Sequence, residues 1–155
     1  MAAAQARGLD VAQGDVLVTP LGEAKYDVVT LWHVLEHLDH PGVALTRIHA
    51  ALAADGLLVI ATPDTHSRAC QKGRAHWFHL DAPRHLHLFH ADNLARLLAQ
   101  SGFDGVRQSR LPFDYPLDLF WSLRRDWRSW PLLAAYPIAK CFDRENLLMV
   151  ARKRP

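Results

Sequence analysis

The sequence predicts an α/β fold built on a parallel sheet, and three observations carry that prediction. Tyr26–Trp32 (YDVVTLW) and the run 57–61 (LLVIA) are β-branched and mostly apolar, as strands buried on both faces should be. Between them Ala44, Leu45, Ile48 and Leu52 recur at helical spacing and give one apolar face. The unit 26–61 therefore reads as strand, helix, strand, a right-handed βαβ crossover. The chain has 155 residues, 50% apolar and 22% charged, which is enough for one domain with a core and excludes disorder or a disulfide-stapled scaffold.

The Ala-rich start MAAAQAR reads as the end of a helix capped by Gly8. Residues 9–13 are a short strand candidate closed by Gly14 and Asp15, and the polar run through Thr19, Pro20, Leu21 and Gly22 reads as a loop. After the strand at 26–32, residues 33–38 have room for one or two helical turns. Pro41 then suits the first turn of a helix that Gly56 stops. Residues 62–90 form a long His-rich connection, a length that is usually functional or partly helical. Leu94, Leu97 and Leu98 mark a further helix ending at Gly102, and 103–111 and 145–152 are the last strand candidates. Between those two, Leu117, Phe120, Leu123, Trp127 and Trp130 fall in one helical arc, with Arg125 and Arg128 outside it and Arg124 intruding. A helix packed on the sheet, a lid over an apolar pocket and an interfacial helix at 117–136 all fit that pattern.

The net charge is 18 − 16 = +2, but it is uneven: residues 1–60 carry three Lys/Arg against seven Asp/Glu, and residues 61–155 fifteen against nine. Basic residues interleave with acids and form no long block, so nucleic acid is not an expected partner. Cys70 and Cys141 lie far apart with no CxxC, which suggests neither a zinc ribbon nor a disulfide framework. No signal-peptide core and no run of about 18 apolar residues are present, so a cytoplasmic location is the expectation.

The densest chemistry is His33-Val34-Leu35-Glu36-His37, placed where a strand of an open α/β sheet ends and ligands normally sit. HxxEH also spells an inverted zinc-protease motif, which requires both histidines on one long helix. His66, His76, His79, His85, His87 and His90 cluster in the connection, with His85 and His87 alternating as on one side of an extended segment. The eight glycines stand at 8, 14, 22, 42, 56, 73, 102 and 105, so no GxG exists to let a backbone approach a nucleotide closely.

GLDVAQGDV (8–16), the run 26–63, DAPRHLHLF (81–89) and LARLLAQSGF (94–103), with a weaker echo in ENLLMVARK (145–153), resemble class I S-adenosylmethionine-dependent methyltransferases. The similarity is to the branch with small-molecule and lipid-linked members. It implies a Rossmann-like sheet of order 3-2-1-4-5-7-6 with an antiparallel last strand. Here the sheet would be incomplete, holding strands 3 to 7 of that order within a single partial domain over 1–155, with 112–142 an inserted aromatic and basic helical segment. The resemblance implies S-adenosylmethionine as cofactor, held by Asp15, Val16, Trp32 and His33, with His37 and His85 as candidate general bases.

Certain relatives carry ExxEH at this position and bind a divalent ion with a downstream histidine. The corresponding set here is His33, Glu36, His37 and His85, in which one carboxylate among imidazoles favours a softer ion such as zinc. The resulting expectation is methyl transfer to a small-molecule or lipid-linked acceptor, by a truncated form with weak or no activity alone. Peripheral membrane contact through 117–136 and a homodimer completing the sheet belong to the same reading. Two other readings remain: a non-catalytic module pairing through an exposed strand edge, and an HxxEH zinc hydrolase.

Overall fold

The computed structural model describes residues 1–109 and 145–154. In chain order it contains α1 (Ala2–Gln5), β1 (Tyr26–Trp32), α2 (Pro41–Ala51), β2 (Leu52–Pro63), α3 (Arg68–Gly73), α4 (Ala91–Gln100), β3 (Phe103–Ser109) and β4 (Asn146–Lys153). Single 3-10 turns occupy Leu35–His37, Arg74–His76 and Phe78–Leu80. The expected helical segment at 112–142, with its arc at 117–136, lies outside the described residues.

The four strands form one sheet in the order β1-β2-β4-β3. β1 runs parallel to β2, and β4 is antiparallel to both of its neighbours. That is the 4-5-7-6 stretch of the anticipated order, with the last strand reversed as expected. The short strand expected over 9–13 does not form; those residues carry no regular structure and are mostly exposed. A lone extended run of Leu-Asp-Val-Ala-Gln has no neighbouring ladder to satisfy its backbone groups, so nothing fixes it as a strand.

Pairing places the core. Leu58 opposes Ala151, Ile60 opposes Met149 and Thr62 opposes Leu147, so these share one face, and β1 adds Val29 and Leu31 to it. Ile48 of α2, and Leu94 and Leu98 of α4, join the same buried cluster with Phe103. The two helices touch one another, Leu97 lying close to Gly42. Tyr26, Val28, Thr30 and Trp32 alternate onto the other side of β1 and are exposed. Along that strand's free edge, Val16 and Leu21 help to line an apolar groove of about 300 Å³.

Local chemistry explains most boundaries. Gly8, at φ +77°, closes α1 with a Schellman pattern in which its N–H donates to Gln5 and the Leu9 N–H to Ala4. Pro41 opens α2 as anticipated, but the helix stops at Ala51 and not at Gly56. Leu52 is already extended, and residues 53–56 bulge out between the Tyr26–Leu52 and Val28–Leu57 pairs, with Asp55 at φ +61°. The Ser67 hydroxyl caps α3 by accepting from the Cys70 N–H. No described helix is long and apolar enough to cross a membrane.

Candidate functional site

β1 ends at the carboxyl edge of the parallel pair, and its last residues set the site. His33 leaves the strand at φ +50°, a left-handed conformation that histidine tolerates better than β-branched residues. Its N–H donates to Ala61 of β2, so the turn stays attached to the sheet. The ring then lies over the 3-10 turn that follows, with Nδ1 3.2 Å from Glu36 Oε1.

Glu36 is only 1% exposed. Its Oε2 accepts from the Thr62 hydroxyl at 3.1 Å. Burial pushes its pKa up, but the His33 and Thr62 hydrogen bonds, its own backbone N–H and the nearby His33 charge outweigh that, and the net direction is down. The buried group is therefore a carboxylate, and His33 is its partner.

Glu36 also anchors the long connection. Its backbone carbonyl accepts from the N–H groups of Leu86 (2.9 Å) and His87 (3.2 Å). His37 Nδ1 donates to the Arg84 carbonyl at 2.9 Å, and His85 Nδ1 to the His79 carbonyl at 2.6 Å. A carbonyl can only accept, so both rings carry a proton on Nδ1, and in the neutral imidazole Nε2 is left with a free lone pair. Beside them Arg84 pairs with Asp81 at 2.7 Å, which holds the Asp81 carboxyl below its usual range.

Four imidazoles converge here. His79 stacks near His33 (6.1 Å between centroids) and near His85 (6.4 Å), while His37 and His85 lie 4.7 Å apart at a tilt. Among the described residues, Glu36, His37 and His85 each offer a donor atom within 4.8 Å of the others'. His33, expected to complete that set, is not part of it; its Nδ1 is turned to Glu36. The helical HxxEH geometry does not form either, because 33–37 is a left-handed residue followed by a single 3-10 turn. His87 lies against Phe89 instead, and His66 stacks on His90 at 4.3 Å.

Asp15 and Val16 belong to a different fastening. Asp15 Oδ1 accepts from the Leu17 N–H, and Arg47 of α2 donates to the carbonyls of Val16 (2.8 Å) and Thr19 (2.7 Å). Trp32 and His33 stand at the end of β1 as expected. Thr62 and His79 were not singled out by the sequence. A threonine ending a buried strand opposite an acid is a usable signal for the first, but spacing does not separate His79 from the other loop histidines.

A methyltransferase-domain family model matches residues 2–108. No curated protein matches the chain. Among solved structures it resembles the [4+2]-cyclase SpnF, with 20% identity over 99% of this chain and 61% of that one, at a TM-score of 0.62. It also resembles a SAM-dependent methyltransferase of Thermotoga maritima, with 15% identity over 97% and 67% and a TM-score of 0.65. A third similarity is to the Burkholderia thailandensis 1,6-didemethyltoxoflavin-N1-methyltransferase, solved with bound 1,6-didemethyltoxoflavin and S-adenosylhomocysteine, with 24% identity over 99% and 56% and a TM-score of 0.59. The chain thus spans between about half and two thirds of the length of these neighbours.

Proposed function

The chain belongs to the methyltransferase-domain family, and on that premise we propose that it takes part in methyl transfer from S-adenosylmethionine to an oxygen or nitrogen of a small-molecule or lipid-linked acceptor. The observation that carries this reading is the convergence of His33, His37, His79 and His85 around the buried Glu36 at the carboxyl end of the parallel strands.

Trp32 and His33 would hold the methionine end of the cofactor, and Asp15 and Val16 the adenine. The exposed Trp32 and the outward turn at His33 suit the first role, and the exposed Asp15 suits the second. The cofactor supplies an activated methyl group, and the protein's task is alignment and proton removal. His85 Nε2 or His37 Nε2 takes the acceptor's proton, each ring being held in the competent tautomer by its carbonyl partner. Glu36 keeps His33 oriented and stays ionised throughout.

Titration with S-adenosylhomocysteine tests the reading. Saturable binding weaker than micromolar, in keeping with the lack of a GxG, that Trp32→Ala and His33→Ala each weaken further is the expected result, and absence of saturable binding overturns it. In a second reading, favoured by the mutual approach of Glu36, His37 and His85, the same donors would hold a zinc-like ion, which would supply Lewis-acid chemistry at the site. Metal analysis after equilibration with zinc distinguishes them: one bound equivalent, lost in His37→Ala, supports the ion, and none supports the free bases. A cytoplasmic location fits either version.

A further inference from the structure

The end of β1 is held by two consecutive residues of β2, and the second of them acts through a buried side chain. His33 stands at φ +50°, a conformation that a residue other than glycine keeps only where its surroundings over-determine it. Burial does not do this, because the His33 side chain is 41% exposed. Two contacts do. Its N–H donates to the Ala61 carbonyl at 2.9 Å, and its Nδ1 lies 3.2 Å from Glu36 Oε1.

The second contact is no firmer than the carboxylate that makes it. Glu36 sits on the single 3-10 turn Leu35–His37 and reaches His33 with a long side chain of several soft torsions. Thr62 removes that freedom: its hydroxyl donates to Glu36 Oε2 at 3.1 Å, which leaves Oε1 turned to His33. Thr62 has little freedom of its own, being β-branched, 0% exposed and paired opposite Leu147 in a strand with neighbours on both sides. It is also out of keeping with its row. Leu58, Ile60 and Thr62 share the buried face, where packing alone would take a valine and where a hydroxyl is costly unless it is bonded. Its bond goes to the carboxylate that orients His33.

We propose that Thr62 is a positioning residue for the cofactor contact of His33: through Glu36 it fixes the His33 ring, and the turn at the end of β1, in the orientation that meets the methionine end of the ligand. The proposal rests on the methyl-transfer reading for the ligand, whereas the hold of Thr62 on the ring is independent of it. His37 and His85 lie outside this chain of contacts, since their Nδ1 atoms are held by the Arg84 and His79 carbonyls.

Three variants of the full chain test it. Thr62→Val keeps the branched shape and removes the hydroxyl, Thr62→Ala removes both, and Thr62→Ser keeps the hydroxyl. S-adenosylhomocysteine should bind about fivefold more weakly to the Val and Ala variants, and within about twofold of the parent chain to the Ser variant. Nuclear magnetic resonance of isotope-labelled histidine rings supplies a readout that general loosening would not give. The His33 signals, identified by their loss in His33→Ala, should move in Thr62→Val and return in Thr62→Ser, while those of His37 and His85 stay in place. Unchanged affinity in Thr62→Val, unmoved His33 signals, a Ser variant as weak as the Val variant, or movement of all three rings together overturns the proposal. Failure of the parent chain to bind S-adenosylhomocysteine sinks the methyl-transfer reading alone, and the His33 signals then still decide for or against the hold of Thr62 on the ring.

Discussion

Glu36 holds a negative charge with almost no water around it, and its neighbours make that tolerable. His33 and Thr62 both prefer the ionised form, so the native carboxyl keeps its proton off to a lower pH than the unfolded one, whose ordinary value is 4.5. A folded-state pKa lowered in this way contributes stability that is present above about 4.5 and is lost as pH falls through the lower native value. Glu36→Gln should therefore cost about 1–3 kcal/mol at pH 7 by leaving His33 with a weaker partner. It should also flatten the acid side of the stability profile. Urea midpoints from pH 7 to pH 3 check this, and an unchanged acid limb in the variant would show that another carboxyl governs it. Glu36, His33 and His37 were legible from the sequence because a β-branched, apolar strand ended just before them, although that strand proves buried on one face and not on both. His79 was not, because its place depends on two 3-10 turns that fold the loop back, and neither has a periodicity to read.

At the scale of elements, the boundaries that departed from expectation did so where tertiary pairing overrode propensity. Ala53 and Ala54 are good helix formers, yet Leu52 pairs with Tyr26 and Asp55 takes a left-handed turn, so the helix gives way four residues before Gly56. The strand at 26–32 and the proline start of α2 were legible because each rests on local chemistry alone. The stretch 15–19 has no such signature; it is ordered by an Asx turn at Asp15 and by the two Arg47 hydrogen bonds. Arg47→Met keeps the aliphatic stem and removes both bonds. Amide exchange at Val18 and Thr19, whose N–H groups close onto the Asp15 carbonyl, should speed up, while Ile60 and Met149 stay protected. Uniform acceleration across the sheet would mean that the clamp supports the whole fold and not this loop. Loss of the clamp should also weaken any cofactor contact made by Asp15 and Val16.

Across the whole molecule the sheet is unequal from edge to edge. β2 and β4 lie in its interior, paired on both sides, and the Ile60–Met149 pair sits at the centre of the buried face. Among the described residues β1 is paired on one side only, and Val28 projects from its exposed face. Two aliphatic truncations in neighbouring strands should therefore differ sharply. Ile60→Ala removes buried methyl groups where helices α2 and α4 close the core, at a cost of about 2–5 kcal/mol and a fall in Tm of about 5–15 °C. Val28→Ala should cost less than about 1 kcal/mol, the residue of strand preference left when burial is absent. Thermal denaturation of both variants at several protein concentrations makes the comparison. If Val28→Ala proves as costly as Ile60→Ala, and more so at higher concentration, then the outer face of β1 is covered in solution by a second copy of the chain. An edge strand with unpaired backbone groups invites that pairing, and the concentration dependence separates it from burial within one chain.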